Sequence, residues 1–112
     1  MNAMPHMEEV CRRVVAAYRK AYGDDIEAIY LYGSYARGDF DEDSDIDFAA
    51  IVKGECPDLQ KKRWEVWSEA NDIDLEFDIL TSPMVISSKI FEEYKNAGGY
   101  YENIFKEGIR LA

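Results

Sequence analysis

The sequence predicts an α/β (α+β) fold, a small mixed β-sheet with helices packed on it. Three observations point there. Short runs rich in β-branched and aromatic residues, such as "AIYLY" at 28–32, alternate with longer segments whose apolar residues recur at helical spacing. The length of 112 residues fits one domain, so residues 1–112 are read as a single unit. Apolar residues make up 47% of the chain, enough for a modest core at that length.

The elements follow in order. From Glu8 to Tyr22, Val10, Val14, Val15, Tyr18 and Ala21 recur as on one face of a helix, and Gly23 offers a stop. The strand at 28–32 leads into a short helix from Ser34 to Arg37. "GDFDEDS" (38–44) has turn composition, and "DIDFAAIV" (45–52) reads as the second strand. Lys53 to Pro57 breaks the pattern, and Asp58 caps a helix to about Ala70 with Leu59, Trp64 and Trp67 on its apolar side. "DIDLEFDIL" (72–80) alternates strictly and predicts a third strand, with Asp74, Glu76 and Asp78 on one face. Ser82 and Pro83 predict a helix start, running to about Lys95 and ended by "NAGG". A short helix and a final irregular or extended turn fill residues 100–112. A helix between the second and third strands allows a parallel or an antiparallel return.

Composition narrows the function. Lys and Arg number 13 against 23 Asp and Glu, a formal net charge of −10. Extended nucleic-acid binding rests on clustered cations, so no such surface is expected, although a metal ion lets an acidic site hold one nucleotide. The chain has no apolar run of about 20 residues for a membrane span, and its first residues show no basic-then-apolar leader pattern. The expectation is a cytoplasmic protein with no membrane partner. Cys11 and Cys56 match no metal or redox spacing, and Cys11 fits a helical core position.

The chemistry concentrates in "LYGSYARGDFDEDSDIDFAAIV" (31–52). Asp45 and Asp47 are two apart, so on a strand both carboxylates project from one face while Ile46 and Phe48 enter the core. Two like charges on a half-buried surface repel and lose hydration, which a divalent cation offsets; an exposed acidic edge would give the same pattern. Gly33 lets a ligand approach the backbone, and Ser34 opens a helix whose first N–H groups suit a phosphate; an ordinary serine-capped turn reads the same way. The combination carries more than either part.

Gly33-Ser34, ten intervening residues, then Asp45-Ile46-Asp47 resembles the signature of the DNA polymerase β-type nucleotidyltransferase superfamily. More narrowly, Gly33, Ser34, Ala36, Arg37, Gly38, Ser44, Asp45 and Asp47 are similar to the pattern of the minimal nucleotidyltransferases, small antitoxins of HEPN/MNT toxin–antitoxin pairs. "FDILTSPM" resembles the family's later strand with its third acid, which would put that role on Asp78, with Asp74 and Glu76 as competitors; "NIFKEGIRLA" resembles its C-terminal ending.

The resemblance implies a polymerase β-like nucleotidyltransferase fold over the whole domain and transfer of a nucleoside monophosphate from a triphosphate to a hydroxyl. Asp45, Asp47 and Asp78 would be catalytic and would hold two Mg²⁺ ions. Gly33 and Ser34 would anchor the phosphates of ATP, while Arg37 either reaches a phosphate or pairs with Asp39. The implied acceptor is a tyrosine of a HEPN-domain toxin, modified with AMP. Alternatives are an aminoglycoside-type small molecule with a homo-oligomer completing the pocket, or neutralisation of a partner by binding alone. Tyr30, Tyr32, Trp64 and Trp67 could stack on a base, but aromatics at these spacings are usually core, and His6 is expected to have no catalytic role.

Overall fold

The computed structural model describes residues 6–41 and 44–112. The chain runs α1 (Met7–Tyr22), a 3₁₀ turn, β1 (Ile26–Tyr32), α2 (Ser34–Arg37), β2 (Ile46–Val52), α3 (Cys56–Lys61), α4 (Arg63–Phe77), β3 (Thr81–Ser87), α5 (Ser88–Tyr94), α6 (Tyr100–Glu107) and β4 (Ile109–Arg110). The strands form one mixed sheet in the order β3-β2-β1-β4. β1 runs antiparallel to both β2 and β4, whereas β2 and β3 are parallel, joined by the crossover through α3 and α4.

Period-two alternation divides the sheet into two cores. Ile46, Phe48, Ala50 and Val52 of β2 point to one face, where they join Val10, Val14 and Tyr18 of α1 and Val66 and Ile73 of α4. Ala49 and Ile51 point to the other, against Phe91 of α5 and Ile104 of α6. The molecule is thus a sheet with helices on both sides. The buried Tyr18 hydroxyl donates to the Met84 carbonyl (2.8 Å) and Tyr22 to that of Leu59 (2.5 Å), so α1 is pinned to β3 and α3 by polar as well as apolar contacts. No helix among the described residues is long and apolar enough to cross a membrane.

The segment 72–80 departs from expectation. It is not a strand: α4 continues to Phe77, and Asp78 ends it in the left-handed conformation (φ 54°, ψ 54°). The helical set Val66, Ala70 and Ile73 is buried, whereas Leu75, which a strand would have buried with Ile73, is 84% exposed. The helical contact with α1 thereby overrides a local alternation. The third strand begins only at Thr81, so Ser82 and Pro83 lie in β3 rather than opening a helix. β3 is a sheet edge, where a missing backbone N–H is tolerated, and a residue before proline prefers extended backbone. The segment 58–70 is likewise two helices, and Trp64 and Trp67 lie largely on the surface, the Trp67 indole donating to the Pro83 carbonyl (2.9 Å).

Candidate active site

β1, α2 and β2 meet at one end of the sheet. β1 ends at Tyr32, Gly33 turns the chain, and α2 begins at Ser34. Gly33 has φ 74° and ψ −152°, a conformation that L side chains rarely adopt. A Cβ at this position would also collide with Oδ2 of Asp47. The turn and the carboxylate therefore touch.

Asp47 is the second residue of β2 and half-buried; in register it faces Tyr32 of β1 on one side and Ser82 of β3 on the other. The row Tyr32–Asp47–Ser82 lies on the sheet face that α5 and α6 cover. Asp45, just before β2, is exposed. Burial first, and then the negative charge of Asp45, push the Asp47 carboxyl above its ordinary range; the Arg37 guanidinium works in the opposite direction. Arg37 pairs with Asp39 (3.2 Å) and lies 3.7 Å from Glu107 of α6, the structural alternative foreseen for it.

The three acids expected on one strand face are separated. Oδ1 of Asp74 accepts hydrogen bonds from the Thr81 backbone N–H (2.9 Å) and hydroxyl (2.8 Å), tying α4 to the start of β3. Glu76 pairs with Arg13 of α1 (2.8 Å). Asp78 is exposed at the end of α4. Among the described residues no three Asp, Glu, His or Cys side chains stand close enough to hold one ion together. Asp45 and Asp47 still offer hard oxygen donors beside a glycine turn, a donor set that suits Mg²⁺ with substrate phosphates completing its shell.

Two residues beside Asp47 escaped the sequence reading as site members. Ser82 was legible only as a helix cap, since β3 lies several residues later than the alternating segment. Tyr100 comes from α6, far along the chain, and its hydroxyl is 2.7 Å from that of Tyr32 with the rings edge to face. Tyr30 is a core residue, and His6 packs against Phe77.

The chain resembles "Putative protein adenylyltransferase MJ0604" of Methanocaldococcus jannaschii, at 30% identity over 90% of this chain and 93% of that protein. "Putative protein adenylyltransferase MJ0141" of the same organism is 39% identical over 67% of this chain and 78% of its own. Among solved structures, a toxin–antitoxin crystallised with AMP-PNP shares the fold at a TM-score of 0.59 and 19% identity, over 91% of this chain and 72% of that one. A mutant of the toxin–antitoxin MntA-HpeT does so at 0.58 and 17%, with the same coverage. Residues 15–111 match the family described as polymerase beta, nucleotidyltransferase, and the chain belongs to that family.

Proposed function

We propose that this chain transfers AMP from ATP to a protein hydroxyl, and that the acceptor is a tyrosine of a HEPN-domain toxin for which the chain is the antitoxin. The observation that carries the reading is the contact of the Gly33 turn with Asp47, which sets the turn proposed to hold phosphate against the second carboxylate of the Asp45–Asp47 pair. The names of the adenylyltransferase relatives and the toxin–antitoxin neighbours support the choice of AMP and of a toxin acceptor.

Asp45 and Asp47 would hold Mg²⁺, which supplies charge neutralisation of the triphosphate and activation of the attacking hydroxyl. Gly33 and Ser34 bind and orient the phosphates. The acceptor hydroxyl releases its proton to solvent as its oxygen bonds to the α-phosphorus, the bond to the bridging oxygen breaks, and pyrophosphate leaves. Catalysis here is positioning and charge stabilisation rather than covalent chemistry by the protein. We leave Asp78 out of the proposed metal site, since among the described residues no three such acids stand close enough to share an ion.

The test is transfer of α-phosphate label from ATP with Mg²⁺ into an extract of the source organism, fractionated into protein, RNA and small molecules, wild type against Asp47→Asn. Label in one protein band, absent with the variant and with chelator, is the expected result. Label in the small-molecule fraction would favour the aminoglycoside-type reading. Full toxin neutralisation in cells by the unlabelling variant would mean inhibition by binding alone.

A further inference from the structure

Tyr100, Ile104 and Glu107 lie at i, i+4 and i+7 and so share one face of α6. Each makes a different contact: the Tyr100 hydroxyl meets that of Tyr32, Ile104 is fully buried in the core, and Glu107 lies beside Arg37. The helix therefore clamps both sides of the Gly33 turn from above. Its N-terminus is set by Gly99 at φ 78°, and Glu102 reaches back to the Gly98 N–H (2.8 Å).

Two hydroxyls that share one hydrogen bond hold two protons, and only one lies between them. The other is open to solvent, since the pair is exposed. Tyr32 stands directly across from Asp47 in the strand register, and its chain neighbour Gly33 touches that carboxylate, so the pair belongs to the same corner of the sheet.

We infer that the Tyr32–Tyr100 pair is a hydrogen-bond donor to the phosphate oxygens at the reacting end of the nucleotide, acting as one unit; this rests on the nucleotidyl-transfer reading above. An anion held by the Gly33 turn would offer that hydroxyl an acceptor in place of solvent. In this role the pair donates a hydrogen bond and does not act as a base. The pair itself gives up no proton: the donor strengthens its bond as negative charge develops on the oxygens during transfer.

The experiment varies ATP at a fixed amount of the acceptor fraction, using wild type, Tyr32→Phe, Tyr100→Phe, the double variant and Asp47→Asn. Each single variant should lower kcat by about 10- to 100-fold, the worth of a hydrogen bond to a charged group. The KM for ATP should stay within about threefold, and the double variant should be no worse than the poorer single one, since members of one unit are not additive. Thermal midpoints should stay near that of wild type; should Tyr32→Phe unfold, the half-exposed Tyr100→Phe decides. Wild-type kcat in the Phe variants, a change confined to KM, or a loss that tracks the midpoint would overturn the inference. So would label on this chain that disappears with Tyr100→Phe alone, which would make Tyr100 an acceptor. Activity surviving in Asp47→Asn would instead sink the reading beneath it.

Discussion

Gly33 and Asp47 stand so close that a single methyl group on the glycine would overlap the carboxylate oxygen. The glycine is fixed twice, by its positive φ and by its neighbour. Gly33→Ala should therefore lower stability by about 1–3 kcal/mol through backbone strain. It should also cost about 100-fold in transfer by displacing Asp47. Denaturant unfolding and label transfer on the same preparation check both numbers, and a stable, active variant would contradict the contact.

Asp47 holds a charge that the folded chain disfavours, being half-buried beside Asp45. Asp47→Asn removes that charge without changing shape. Near neutral pH and without metal, the variant should melt higher than wild type while losing transfer activity. Asp45→Asn should also lose activity, with a smaller rise because Asp45 is exposed. Added Mg²⁺ with ATP should raise the wild-type midpoint and leave that of Asp47→Asn almost unmoved.

The acids of 74–78 should separate by role. Asp78→Asn should keep activity within about threefold, since asparagine suits the left-handed helix end. Asp74→Asn should destabilise the chain by about 1–3 kcal/mol, because it weakens a carboxylate that accepts from both the N–H and the hydroxyl of Thr81. A loss of transfer in a fully folded Asp78→Asn would restore that residue to the site.

Ile73 and Leu75 decide between helix and strand. A strand would place them on one face and bury both; the helix buries Ile73 and exposes Leu75. Ile73→Ala should cost about 2–5 kcal/mol and Leu75→Ala within about 0.5 kcal/mol of nothing. Equal costs would favour the strand.

Burial pushes the Tyr22 phenol up to about 12 from the ordinary value of 10.0. Between those two values the unfolded chain loses this proton while the folded chain retains it. Stability from this group is therefore complete below pH 10 and declines from there to about pH 12. Tyr22→Phe should flatten that alkaline slope, read from unfolding midpoints on either side of the window.

The parts of the fold that depend on neighbours in sequence were legible. α1, β1, α2 and β2 lie where helical spacing, β-branched runs and a glycine placed them, and the Gly33–Ser34 turn precedes Asp45 and Asp47 as expected. Each of these signals is local: a repeat of 3.6 or 2 residues, or a residue type that a turn requires. The segment "DIDLEFDIL" satisfies both periods at once, so nothing local separates helix from strand. The groove beside α1, filled by Val66 and Ile73, made that choice. With α4 extended, β3 shifted to Thr81–Ser87, Ser82 came to lie beside Asp47, and Asp74, Glu76 and Asp78 dispersed. The meeting of Tyr100 with Tyr32, 68 residues apart, likewise exists only because Ile104 docks α6 on the sheet. The sequence by itself determined the carboxylate pair, its glycine turn and the class of chemistry they suggest. Which side chains surround that pair was decided by packing between elements distant in the chain, where burial free energy outweighs local preference.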